Sequence, residues 1–126
     1  MQMRDFYSGF GVRSSILPQS LTAGANGAAV DLANVKAVCL HVAVGALVGA
    51  VIGVKLQESA DGVTWADVPA ALVQSDAPAA LAANFAYRVG YLGGKRYVRP
   101  VIVWTSGTSA VVAAVAVVEP LVRPVP

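Results

Sequence analysis

The sequence predicts an all-β protein: a single β-sandwich or jelly-roll-like domain with an extended N-terminal arm and a Pro-rich C-terminal tail. Two observations predict that fold. Runs of Val, Ile and aromatic residues sort onto alternate positions at a period of two, as half-buried strands require. Gly, Asp and Pro interrupt these runs often enough for a series of short strands joined by turns. A third observation bears on the surface. Of the 126 residues, 13% are charged and 56% hydrophobic, against roughly 25% and 45–50% in an ordinary soluble domain. So few charges cannot coat a free-standing domain, so other protein subunits or a membrane must cover part of it.

Residues 1–29 read as an arm and irregular segment, 30–119 as the sandwich and 120–126 as an extended tail. Ser8-Gly9, Gly11, Pro18 and Gly24-Ala25-Asn26-Gly27 punctuate the arm. Val30-Asp31-Leu32 forms a short strand leading into a long one, Val35 to Val44. There Val38, Leu40, Val42 and Val44 share a face with Lys36, opposite Val35, Ala37, Cys39, His41 and Ala43. Residues 45–50 are then a glycine-bearing connection, and Val51 to Ser59 is the return strand of a hairpin. Ile52, Val54 and Leu56 lie on one face of it, Gly53, Lys55 and Gln57 on the other.

The same region offers a membrane alternative. Gly45, Gly49 and Gly53 recur every four residues within the apolar run Val42 to Val54, a spacing that lets membrane helices pack closely. The run is shorter than the roughly 20 residues a spanning helix needs. It is rich in β-branched Val, and His41 and Lys55 bracket it. The hairpin is the preferred reading.

Asp61-Gly62 is a turn into a short return strand bearing Trp65, which is expected to pack across the edge of the sandwich. Residues 69–84 are Ala-rich. They read as a loop with one helical turn over 77–82, capped by Ser75-Asp76 with Pro78 in its first turn. Phe85 to Leu92 is a strand with Phe85, Tyr87, Val89 and Tyr91 on one face. Gly93-Gly94 reads as a primed two-residue turn. The next strand, Arg96 to Trp104, contains Pro100, which makes it an edge strand or gives it a bulge. After a turn at 106–109, Ala110 to Glu119 is apolar on both faces. It should be buried on both sides, centrally or at a subunit contact.

Little in the chain points to catalysis. His41 is the sole histidine and has no cluster of ligating residues near it in sequence, so it reads as a structural histidine rather than a ligand. Cys39 is the sole cysteine and reads as a buried structural thiol. Asp61 and Asp67 flank the Trp65 return and form a candidate cation pair, although Asp61-Gly62 is better explained as a turn. Gly90 to Lys95 lacks the glycine spacing of a P-loop, and no serine stands in a nucleophile-elbow context. We therefore expect no catalytic, cofactor or metal residues. A net charge of +2 is too weak for a nucleic-acid footprint. Lys95, Arg96 and Arg99 mark a strand entry and its polar face, or else meet a phosphate or carboxylate. The start, Met1 to Phe6, has no apolar region of the secretory kind. Trp65, Tyr87, Tyr91, Tyr97 and Trp104 are candidates for a sugar platform, but fit core and edge packing better.

Two stretches carry a resemblance, Gln57 to Val68 with its Asp-Gly-Val-Thr-Trp turn and Tyr87 to Arg99 with its Arg-Tyr-Val-Arg strand. Together they resemble the capsid cement, or decoration, proteins of tailed bacteriophages over roughly residues 30–119. The resemblance implies a non-enzymatic virion protein on the capsid surface, made in the host cytoplasm. It also implies that the protein clamps neighbouring major capsid protein subunits, forms homodimers or trimers, and needs no cofactor, nucleic acid or membrane. The apolar arm and tail supply the candidate partner contacts: Phe6, Tyr7, Phe10, Leu121 and Val122. A similar hairpin in discoidin-like sandwiches implies the alternative, a carbohydrate- or surface-binding module of a phage tail or adhesin.

Overall fold

A computed structural model describes residues 6–121. After a 3-10 turn at Tyr7–Gly9 come strands β1 (Gly11–Leu21), β2 (Ala25–Asn26), β3 (Val30–Asp31), β4 (Val35–Val48) and β5 (Val51–Ser59). They are followed by β6 (Ala66–Asp67), β7 (Val73–Ser75), β8 (Phe85–Tyr91), β9 (Tyr97–Ser106) and β10 (Ser109–Pro120). One sheet has the order β1-β10-β4-β8-β7. The other has the order β2-β9-β5-β6, with β3 also paired to β9. The pairs nest: β1 with β10, β2 and β3 with β9, β4 with β8, β5 with β6. A folded antiparallel ribbon gives this nesting, and it is the strand order of a jelly roll.

The two sheets close on one apolar core. Val38, Leu40, Val42 and Val44 of β4 alternate inward, as do Tyr87, Val89 and Tyr91 of β8 and Ala110, Val112, Ala114, Ala116 and Val118 of β10. Ile52 and Leu56 of β5 and Val98 and Ile102 of β9 meet them from the other sheet. Leu40, Val42, Ile52 and Val112 are completely buried.

Several expectations change in the folded chain. The segment read as an irregular arm contains β1, which pairs along β10 from Gly11↔Val118 to Leu21↔Ala110. Register shifts between Ser14 and Ile16 and between Ile16 and Gln19 break its alternation, which is why no period of two is visible there. The β4 strand runs through Gly45 to Val48. It does not form a hairpin with β5: the two lie in different sheets, and Gly49-Ala50 carries the chain across. Ala50 is buried, whereas the tip of a hairpin faces water. Among the described residues no helix is long and apolar enough to cross a membrane.

Gly93-Gly94 likewise joins strands of different sheets. Neither glycine has the positive φ of a primed turn. Pro100 lies in a central strand without a bulge, in register with Leu56. Its other side faces the break between β2 and β3, so no ladder partner loses a donor there. No helical turn forms over 77–82. The 3-10 turn falls at Ala70–Leu72 instead, and Val73–Ser75 joins the sheet edge as β7. Asp76 does not cap a helix because its carboxylate accepts the Arg88 backbone N–H (2.8 Å) and Nε–H (3.1 Å). Leu81 turns into the core and donates its N–H to the Ile52 carbonyl. The strand expected to be buried on both faces, β10, is central between β1 and β4. Its outward row of Val111, Ala113, Val115 and Val117 is only partly covered.

Candidate interaction surfaces

Three surfaces are distinct in chemistry: one end of the sandwich and the outer faces of its two sheets. At the end, the 3-10 turn before β1 folds Phe6 onto Phe10, with ring centroids 4.4 Å apart. Tyr7, Phe10, Val12, Asn34, Val35, Val118 and Pro120 are among the residues lining an open groove of about 760 Å³ between this turn and the β3–β4 connection. Leu121 is held beside it, its N–H donating to the Asn34 carbonyl. Arg13 anchors the near wall through its guanidinium, which donates to the Asp31 carbonyl. Phe6 (73%), Tyr7 (88%) and Leu121 (62%) are largely exposed. Four of the predicted contact residues, Phe6, Tyr7, Phe10 and Leu121, thus converge on one end from opposite termini of the chain. Val122 lies outside the described residues.

The outer face of the β9 sheet is polar and internally paired around Asp67, although Val51 and Val103 are exposed farther along β5 and β9. Asp67 on β6 takes hydrogen bonds from Lys55 Nζ (3.2 Å) and Gln57 Nε2 (3.0 Å). These donors hold its carboxyl below the usual carboxylate range, Gln57 contributing most. Arg99 donates from Nε and Nη2 to Gln57 Oε1 and lies 4.3 Å over the Trp65 ring. Arg96 makes a two-point contact with Asp31, both bonds 3.0 Å, and this drives the Asp31 carboxyl to about 2. Arg96 and Arg99 of the basic cluster therefore meet partners within the chain.

The Asp61 turn is a closed local structure. Asp61 Oδ1 accepts the Thr64 N–H (3.0 Å), the Val63 N–H (2.9 Å) and the Ser59 hydroxyl (2.9 Å). These bonds, the backbone ones first, pull its carboxyl down to about 2. Asp67 accepts from Lys55 and Gln57 and Asp61 from its own turn, so each carboxylate of the candidate cation pair is engaged by donors within the chain. Among the described residues no group of three or more His, Cys, Asp or Glu side chains is placed to hold a metal.

The outer face of the β10 sheet is the opposite in character. Its register sets Val12, Val117, Cys39 and Gly90 in one row, and Ser14, Val115, His41 and Arg88 in the next. Ala113, Ala43 and Ala86 follow. His41 is exposed on this face rather than enclosed. Cys39 is half-buried there, and desolvation pushes its thiol up, away from reactivity.

The candidate sugar platform is dispersed. Tyr87 and Tyr91 point into the core, where the Tyr87 hydroxyl accepts the Ala82 N–H. The Tyr91 hydroxyl donates to Glu58 Oε1 (2.7 Å) and accepts the Lys95 N–H (3.1 Å). Desolvation first, then the Glu58 carboxylate, raise Tyr91 to about 12. This phenol ties β8 to β5 across the sandwich. Sequence reasoning missed the exposed apolar residues of β1, Val12 and Leu17, because that strand was hidden in the arm.

No known protein-family model matches the chain, and no curated protein matches it significantly.

Proposed function

We propose that the chain is a non-enzymatic virion structural protein that binds the outside of a phage capsid and cements neighbouring major capsid protein subunits. The carrying observation is the apolar cluster of exposed Phe6, Tyr7 and Leu121 with half-buried Phe10 beside a groove at one end of the sandwich. Aromatic side chains at the mouth of a concavity are what protein partners bury best. Two further points support the reading. The jelly-roll strand order is common among viral shell domains, an argument by analogy of fold. The residues that resemble decoration proteins form the β5–β6 corner and the β8–β9 crossing. Each apolar contact contributes roughly 25 cal/mol per Å² before association costs. Repetition over a shell multiplies weak contacts into firm attachment. The protein is then made in the host cytoplasm and resides on the capsid surface.

The test is co-sedimentation with shells assembled from the major capsid protein of the same source. Wild-type protein should pellet with the shells. A Tyr7→Ser, Phe10→Ser double variant should need more than about tenfold higher concentration to do so, while keeping the far-ultraviolet dichroism of the wild type. Failure of the wild type to bind either unexpanded or expanded shells would refute the proposal.

A further inference from the structure

We infer that the outer face of the β10 sheet is a self-association surface, packing against the same face of a second copy of this chain. The inference stands apart from capsid binding and uses a different surface.

The two sheets differ in what they show to solvent. The β9 sheet presents the Lys55, Gln57, Asp67 and Arg99 network. The β10 sheet presents Val12, Val111, Val115, Val117, Ala43 and Ala113, with the exposed imidazole of His41 beside Val115. The charges bordering this face are neutralised within the chain, Arg88 by Asp76 at 3.1 Å and Glu119 by Lys36 at 3.7 Å. A face without net charge does not repel its own copy. Its extent also suffices. Four strands about 4.8 Å apart, with outward residues some 6.8 Å apart, about five on each of β1, β10 and β4 and three on β8, span roughly 590 Å². Two such faces bury roughly 1,200 Å² in total, at the lower end of the range of stable interfaces.

Shape selects one arrangement. Gly90 leaves a shallow depression of about 470 Å³, lined by Cys39, Gln74 and Arg88 among others. Val12, 60% exposed, stands in the same row at the opposite side of the sheet. A two-fold axis parallel to the strands, between β10 and β4, lays β1 of one copy over β8 of the other. Val12 then fills the Gly90 depression, Val117 meets Cys39, and Ser14 meets Arg88, each contact occurring twice. Sheets stack in this way at about 10 Å with nearly aligned strands. Growth along the free edge of β1 is disfavoured instead, since Pro18 and two register shifts interrupt it.

The test is light scattering coupled to size exclusion on the full chain over a dilution series. Wild type should run as a dimer. Val115→Arg at the centre of the face should weaken the dimer more than about tenfold. Gly90→Ala should weaken it too by partly filling the depression, and the added Cβ is accommodated within one copy, coming no nearer than 3.5 Å to Gln74 O. Val63→Arg, on the remote Asp61 turn, should leave the dimer intact. Dichroism of each variant reports folding. A wild-type monomer at all concentrations, a trimer, or a dimer indifferent to Val115→Arg overturns the inference. Shell sedimentation reads capsid binding separately, so the two proposals fail independently.

Discussion

Gly107, at the crossing from β9 to β10, tests the central feature of the topology, that consecutive strands pass between sheets. Its φ is +110°, and a Cβ on it overlaps Ala50 Cα and Gly49 O, backbone atoms of the β4–β5 crossing. Gly107→Ala therefore carries two costs. The backbone conformation costs about 1–3 kcal/mol, and displacing a packed neighbouring backbone adds about 1–3 kcal/mol, together near 4 kcal/mol. Gly49→Ala is the control on the facing turn. Its φ is +61° but no atom lies within 4 Å of the added Cβ, so only the left-handed conformation is charged, about 1 kcal/mol. Gly94→Ala meets neither problem and should leave stability unchanged or raise it by up to about 1 kcal/mol. Urea unfolding followed by Trp65 and Trp104 fluorescence, at one fixed protein concentration, reads the series. With an m-value of roughly 2 kcal/mol per M, the midpoint falls by about 2 M for Gly107→Ala and about 0.5 M for Gly49→Ala. Equal midpoints for these two variants would show that the crossings do not pack against each other, and the reasoning would fail.

Four further outcomes follow from named contacts. Tyr91→Phe removes the hydroxyl shared by Glu58 and Lys95 and should cost about 1–2 kcal/mol in the same urea assay. Leu81→Ala empties the core position that closes the 76–84 loop and should cost about 2–4 kcal/mol by urea unfolding. Asp31 and Asp61 titrate at about 2 when folded, below their free value of 3.8, and Asp67 and Asp76 shift the same way. Carboxylates lowered by folding contribute stability that is complete above their free value and lost as pH falls toward 2. The thermal midpoint should thus hold down to pH ~4.5 and then decline, with a shallower decline in Asp61→Asn. Removing residues 1–10 leaves β1 whole, whereas removing 1–15 also deletes the pairs from Gly11↔Val118 to Ser14↔Val115. Calorimetry should find the first truncation near wild-type stability and the second clearly weakened.

The faces of the strands were legible in the sequence because burial sorts alternate residues whatever the partner. Val38, Leu40, Val42 and Val44 point inward as their spacing predicts. Sheet membership was not legible. A glycine between two apolar runs serves a hairpin and a crossing equally, and only long-range pairing decides between them at Gly49 and Gly93. Strand β1 was hidden for another reason: Ser14-Ser15, Pro18 and two register shifts leave it no period. The sequence singled out Phe6, Tyr7, Phe10 and Leu121 as apolar residues of the arm and tail, but their meeting at one end was not legible, because it depends on the pairing of β1 with β10. Nor was the face of β1 beside that end, since Val12 and Leu17 take on meaning only once the strand exists.

The low charge of the chain has a spatial explanation. Lys55, Asp67, Arg96 and Arg99 lie with the β9 sheet or its borders, and Arg88, Asp76, Lys36 and Glu119 stand in pairs at the rim of the β10 sheet. The centre of the β10 sheet has almost none. Strand β10 shows why both of its faces had to be apolar. Val112, Ala114, Ala116 and Val118 fill the core, while Val111, Ala113, Val115 and Val117 form the middle of the outer face. A solvated outer face would carry Lys, Glu or Thr at those alternate positions, as β5 carries Lys55 and Gln57. Small apolar side chains there give a flat surface suited to another sheet. The aromatic cluster at the end, rough and concave, suits a partner with protruding side chains. The two proposals therefore use surfaces of different character, the end cluster for the shell and the β10 face for a second copy.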